Sequence, residues 1–502
     1  MPRPDQQAVL AIDQGTTGTT CLVVDRDGRV RGRAYRELPQ HFPAPGLVEH
    51  DPDDILRTVR ESAREAVERA AAEGVRPVAA GITNQRETAV LWDRATGRAV
   101  HRALVWQDRR TADRCRGLAA RAGWLAQRTG LVPDPYFSAS KLEWLIAHAG
   151  GGRAATGALA FGTVDSWLIW HLTGGRVHAT DPTNASRTML YAIDERAWGA
   201  DLCAELGVPA AVLPEVRPSM GDFGVMTADW CGLALPILGV AGDQQAALFG
   251  HGGWAAGAAK NTYGTGAFLL QNAGPARPRG SPGLLTTLAC DAAGQPVYAL
   301  EAAIFVAGAA VQWLRDGLGV LATAAESEAM ARSVASTDGV VFVPALTGLG
   351  APDWESEARG TVVGLTRGTT AAHLVRAALE SVAFATADVL DAMRAAGASG
   401  GPPLDRLRVD GGMTANSWLM QFQADVLGIP VDRPAMAELT ALGAAGLAGI
   451  AAGVWTPDSF LAAREATTFA PGADVAARAG RGAWRRAVRA AVGWARDRGA
   501  GT

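Results

Sequence analysis

The chain has 502 residues, 48% of them apolar and 19% charged, with a formal net charge of −3. At about 150 residues per domain this length predicts two large domains or more, and the composition excludes long disordered stretches. The slight negative charge offers no electrostatic basis for holding nucleic acid or an anionic membrane surface.

In chain order, the apolar run 8–12 is too short for a secretory signal and predicts a buried strand. A Gly/Thr turn at 14–18, a second apolar run at 21–24, a turn at 25–28 and a third strand at 29–34 complete a β-meander. A helix is expected from Pro52, with Asp51 as its N-cap, Ile55, Val59, Ala63, Ala66, Val67 and Ala70 as its apolar stripe, and Gly74 as its stop. Strands are expected at 78–82, 159–164, 236–241, 267–271, 339–344 and 404–409, and helices at 374–393 and 418–427. Mixed elements throughout predict an α/β protein. The uncharged stretch 439–457, mostly Ala and Gly, suits a helix pressed closely onto a sheet and lacks the roughly 20 strongly apolar residues of a membrane span. Residues 397–403 read as a surface loop, and the last residues as frayed. A strand–Gly/Thr turn–strand unit at 260–271 echoes the one at 9–24, so a boundary near 250–253 divides the chain into two related halves.

Five cysteines (Cys21, Cys115, Cys203, Cys231 and Cys290) are scattered and odd in number, which predicts neither a disulfide framework nor a zinc site and fits a reducing compartment. Lysine occurs only at Lys141 and Lys260, against abundant arginine.

Four places carry the composition of a phosphotransfer site. Asp13-Gln14-Gly15-Thr16-Thr17-Gly18-Thr19-Thr20 follows a strand; its glycines admit a phosphate close to the backbone, its hydroxyls donate, and its carboxylate suits Mg²⁺, although an ordinary hairpin turn has the same composition. Asn261-Thr262-Tyr263-Gly264-Thr265-Gly266 repeats that chemistry in the second half. Asp410-Gly411-Gly412-Met413-Thr414-Ala415-Asn416 sits at a strand-to-helix junction where paired glycines let a base or ribose lie on the backbone. Asp243, at the end of an apolar strand, is placed either to take the proton of an attacking hydroxyl or to cap the helix that follows, and both roles are compatible. Arg86 and Glu87 offer a donor and an acceptor for hydroxyls, and Trp106, Tyr136 and Phe268 an apolar wall, although most of the 15 tryptophans must be core.

Taken together, these stretches resemble the glycerol kinases of the FGGY carbohydrate kinase family over nearly the whole chain, from about residue 9 to 494. Further matching stretches are Gly-Leu-Val-Glu-His-Asp-Pro at 46–52, Gly-Ile-Thr-Asn-Gln-Arg-Glu-Thr at 81–88, 181–190, 242–250, 348–352 and two family patterns at 136–145 and 360–380. The resemblance implies two actin/hexokinase-like (ribonuclease H-like) domains facing an interdomain cleft. Residues 1–252 would carry the polyol pocket and the first phosphate loop, and residues 253–502 the second phosphate loop and the adenosine site. It implies phosphorylation of glycerol to sn-glycerol 3-phosphate by ATP with Mg²⁺, in the cytoplasm, by a homodimer or homotetramer. Arg86, Glu87, Trp106, Tyr136, Asp243, Gln244 and Phe268 would line the glycerol pocket, with Asp243 as the base. Asp13 and Asp243 would serve the metal. Thr16, Thr17, Gly18, Thr20, Gly264 and Thr265 would hold phosphates, and Gly308, Gln312, Gly412 and Asn416 the ribose and base. The chain departs from its relatives at Thr20, where many have Arg, and at Gly232-Leu233-Ala234, where bacterial relatives carry an Arg that binds an inhibitory sugar bisphosphate. It also has no histidine at 219–223, where some relatives are phosphorylated.

Overall fold

The computed structural model describes residues 6–397, 404–462, 464–472 and 475–497. The loop expected at 397–403 therefore lies, except for Gly397, outside the described residues, as do the last five residues.

The meander is built from β1 (Gln7–Gln14), β2 (Gly18–Asp25) and β3 (Val30–Glu37), all antiparallel. Next comes α1 (Pro52–Ala72), whose N-cap Asp51 accepts the N–H of Asp53 and whose buried stripe contains all six predicted apolar residues. Strand β4 (Arg76–Asn84) pairs parallel with β1. The strand expected at 159–164 ends at Gly162: Thr163 is extended and starts a helix, Val164–Leu172. Strand β5 (Val225–Met226) pairs with β6 (Leu235–Gly242), which runs parallel to β4, and the sheet order is β5-β6-β4-β1-β2-β3. Helix α2 (Asp243–Gly250) follows β6 without a loop. Its N-cap is Gly242, so Asp243 is the first helical residue rather than the cap.

The second half repeats the plan. Hairpin β7 (Ala259–Tyr263) and β8 (Ala267–Gly274) extends through β10 (Pro296–Ile304) to β9 (Leu285–Cys290). Helices α3 (Gly308–Asp316) and α4 (Ala371–Ala396) follow, then β11 (Leu407–Asp410), parallel to β7. Helix α5 (Ser417–Leu427), β12 (Val431–Pro434), α6 (Leu439–Ala451) and β13 (Ala466–Phe469) complete a sheet of order β9-β10-β8-β7-β11-β12-β13. In both sheets an antiparallel hairpin has a parallel neighbour beside its first strand, the arrangement of an α/β fold with two related halves.

The apolar run of β1 is continuous because both faces are covered. Leu10 and Ile12 pack with the α1 side, whereas Val9 and Ala11 pack against Ala444, Ala445 and Ala448 of α6. The late helix α6 thus covers the first half's sheet. Its contact is backbone to backbone: a Cβ on Gly443 would lie 1.8 Å from the Ala246 carbonyl oxygen, and one on Gly81 would lie 2.1 Å from that of Ala444. All five cysteines are free and buried. Among the described residues no helix is long and apolar enough to cross a membrane.

Candidate active site

Two cavities flank the point where the halves meet. The first, of about 500 Å³, is lined by Gly264, Thr265, Gly308, Gln312, Gly412 and Asn416, the six second-half residues expected around a nucleotide. Val311, Leu379 and Met413 add an apolar wall. Local folding explains the shape. The Gly264–Gly266 turn is clasped by the start of α3, since the N–H groups of Ala307 and Ala309 donate to Thr265 O and that of Gly308 to Gly264 O. Gly411 has φ +91°, and a Cβ there would sit 2.4 Å from the Tyr263 carbonyl oxygen, so only glycine lets β11 turn under the hairpin. Asn416 caps α5 by accepting the Leu419 N–H at 2.9 Å.

The second cavity, of about 580 Å³, draws Trp106, Tyr136 and Phe137 from the first half and Phe268, Glu301 and Phe305 from the second. Trp106 and Tyr136 meet edge to face at 5.6 Å. The Trp106 indole N–H donates to Thr16 Oγ1 at 2.9 Å and so ties this wall to the first Gly/Thr turn. Lys141 fixes Tyr136 from behind: its buried ammonium donates to the carbonyls of Pro135, Tyr136 and Phe137. Burial brings its pKa down to about 8.

Between the cavities lies a buried charge network. Arg86 Nη1 and Nη2 grip the Glu301 carboxylate at 2.5 and 2.9 Å, and Arg86 Nε lies 3.1 Å from Asp243 Oδ1. Glu87 accepts from Arg187 Nε at 2.6 Å, and Arg187 Nη2 lies 3.1 Å from Glu301. Burial raises Glu301, but Arg187 and Arg86 overcome it and hold the carboxyl down to about 2. Burial holds Glu87 above its ordinary range despite the two arginines. Glu87 also has φ +62°, a strained conformation of the kind that clusters at functional sites. Gln244, next to Asp243, accepts from Lys260 Nζ, which also donates to Thr262 Oγ1 at 2.7 Å.

In the first turn, Gly15 N–H donates to Gly18 O at 2.9 Å, and the exposed Thr17 gives its carbonyl to the Leu38 N–H and the Tyr35 hydroxyl. Gly18 is buried under the Tyr35 ring, and Thr20 pairs with Asp13 across the hairpin. Burial, then the charges of Asp243 and Glu438, raise the Asp13 carboxyl to about 7. The structure therefore brings Asp13, Arg86, Glu87, Asp243, Gln244 and Lys260 into one electrostatic neighbourhood, with Trp106, Tyr136 and Phe268 on the second cavity.

Sequence reading missed Arg187 and Glu301. Arg187 lies inside the matching stretch 181–190 but has no motif chemistry of its own. Glu301 lies in β10 among apolar neighbours; a lone acid in a buried strand was its only signal.

Comparison with known proteins agrees with this arrangement. Residues 8–250 match the N-terminal domain, and residues 259–452 the C-terminal domain, of the FGGY family of carbohydrate kinases. The chain is 54% identical over 493 residues to a glycerol kinase of Aromatoleum aromaticum, covering 97% of this chain and 99% of that one. It is 52% identical over 501 residues to one of Bordetella parapertussis, covering 97% and 98%. The crystal structure of Plasmodium falciparum glycerol kinase with ADP superposes with a TM-score of 0.90 at 33% identity, covering 97% of this chain and 98% of that one. A xylulose kinase from Rhodospirillum rubrum gives 0.85 at 27%, covering 96% and 98%. With both halves matched and a cleft between two repeated sheets, the chain belongs to the FGGY family of carbohydrate kinases.

Proposed function

We propose that this chain transfers the γ-phosphate of ATP to a terminal hydroxyl of glycerol, giving sn-glycerol 3-phosphate. The observation that carries the reading is the β7–β8 hairpin, which serves both cavities. Its tip, Gly264-Thr265, lines the first, Phe268 lines the second, and Lys260 bonds Gln244 beside Asp243. A nucleotide in the first cavity and a polyol in the second would meet at Asp243.

Arg86 has five N–H donors. Glu301 and Asp243 take three and Gln245 a fourth, from Nη1 at 3.3 Å, which leaves one for a substrate hydroxyl; Glu87 accepts from another. Asp243 receives the proton of the attacking hydroxyl, and in-line transfer follows. The aromatic wall packs against the C–H side of the triol. A substrate missing one hydroxyl leaves a buried polar group unpaired, at about 1–3 kcal/mol.

The donor set fits Mg²⁺. Among the described residues no three His, Cys, Asp or Glu side chains cluster as a metal site, but Asp13 and Asp243 supply two carboxylates, and Mg²⁺ commonly uses one or two together with substrate phosphates. Burial raises the Asp13 carboxyl first, and the neighbouring charges of Asp243 and Glu438 raise it further. Bound with ATP, the ion neutralises phosphate charge. The high identity to glycerol kinases favours glycerol over the larger sugars of other members.

The test is ADP release across a panel of glycerol, erythritol and xylulose, with Asp243→Asn alongside. Glycerol should be preferred, and the variant should lose about 10²–10⁴ in turnover while still binding ATP. Preference for xylulose would remove the substrate assignment; undiminished turnover would remove Asp243 as the base.

A further inference from the structure

Outside the cleft, a cavity of about 380 Å³ opens between the β2–β3 turn of the first half and the 434–465 region of the second. Arg464 lines it together with Arg29, Met436, Trp455 and Phe460. The Arg464 guanidinium lies over the Phe460 ring, 3.8 Å from its centroid. Its Nη2 is shielded from solvent and has no hydrogen-bond partner, and among the described residues Arg464 has no ion-pair partner either. Arg464 is half-buried, whereas the two fully buried arginines among the described residues, Arg86 and Arg187, each face carboxylates. A guanidinium nitrogen shielded from water and left without an acceptor is costly, and the planar fork of donors matches phosphate oxygens. Burial accordingly lowers its pKa to about 10. Asp27 and Glu465 also line the cavity. They disfavour a highly charged polyphosphate and can accept hydrogen bonds from hydroxyls, and Met436 and Trp455 give the cavity an apolar side for the C–H groups of a sugar.

We propose that this cavity is a second ligand site, separate from the cleft, that binds a hydroxylated phosphate monoester such as a sugar monophosphate through Arg464. Its position gives it a route to the cleft. Pro434, Ala435 and Met436 line both this cavity and a neighbouring one that contains Asp410, Gly411 and Gly412, while Asp27, Gly28 and Arg29 belong to the first half. An occupant therefore touches both halves and the segment behind the Asp410–Gly412 turn.

The test is calorimetric titration of the full chain, with ADP and glycerol saturating, against glucose 6-phosphate, inorganic phosphate and glucose. Glucose 6-phosphate should bind at one site, phosphate more weakly, and glucose not at all. Arg464→Gln should weaken glucose 6-phosphate binding about tenfold or more, as expected for loss of a charge-assisted pair. Met436→Trp, which fills the cavity and leaves Arg464 in place, should abolish it. Both variants should retain basal turnover, which also shows that they fold. The proposal is overturned if the native chain gives no heat with glucose 6-phosphate, or if neither variant weakens that binding. Phosphate binding more tightly than glucose 6-phosphate would overturn the sugar assignment.

Discussion

Replacing Glu301 by Gln tests the charge network where it is most concentrated. Glu301 is 2% exposed, takes both Nη atoms of Arg86 and also faces Arg187. Its pKa falls from an ordinary 4.5 to about 2 because the two guanidiniums outweigh its burial. At 1.36 kcal/mol per tenfold change in acidity, the carboxylate gains about 3 kcal/mol from its surroundings, in line with the cost of breaking a buried ion pair. A depressed carboxyl contributes its stability above pH 4.5 and loses it only as the pH falls toward 2, so measurements at pH 7 see the full effect. Unfolding entropy of about 2 cal/mol/K per residue amounts to about 1 kcal/mol/K for a chain of this length, so the melting point should drop by about 3 °C. Arg86, released from its bidentate partner, should also turn toward Asp243 and Glu87, raising the glycerol KM about tenfold while the ATP KM changes little. Thermal unfolding and initial-rate kinetics read the two effects separately. A melting point within 1 °C of the native value, together with an unchanged glycerol KM, would refute the reasoning.

Three other perturbations test separate parts of the structure. Gly443→Ala places a Cβ 1.8 Å from a backbone oxygen of α2, so α6 must shift; thermal unfolding should show a loss of about 2–3 kcal/mol. Lys141→Met removes the donor shared by three carbonyls behind Tyr136, at about 1–3 kcal/mol for each acceptor left unpaired, and should raise the glycerol KM more than that of ATP. Burial lowers His50, His171 and His178 to about 4, so below pH 6.5 the unfolded chain takes up their protons first and stability falls between pH 6.5 and 4. At pH 5 the fully buried His50 accounts for about 2 kcal/mol of this and the other two for less. Asp13 and Asp165, raised to about 7, work in the opposite direction, so the effect is read as a shallower loss of melting temperature on acidification in His50→Gln than in the native chain.

Local chemistry in the sequence determined a good deal. The Asp51–Pro52 start and spaced apolar stripe of α1, the first meander, the two Gly/Thr turns and the glycines at 411–412 all depend on neighbours within a few residues, and each lies where the pattern predicted. Element ends were less legible. The strand at 159 stops at Gly162 because Thr163 hands the chain to a helix, and Asp243 is the first residue of its helix rather than the cap. Tertiary structure alone decided that α6 covers the first half's sheet, because an Ala/Gly helix fits any close-packed surface and does not name its partner. It alone joined Arg86 to Glu301 across 215 positions and Glu87 to Arg187 across 100. A lone arginine or glutamate carries no local signal of its counter-ion. Only the fold, by burying both away from water, makes their pairing obligatory.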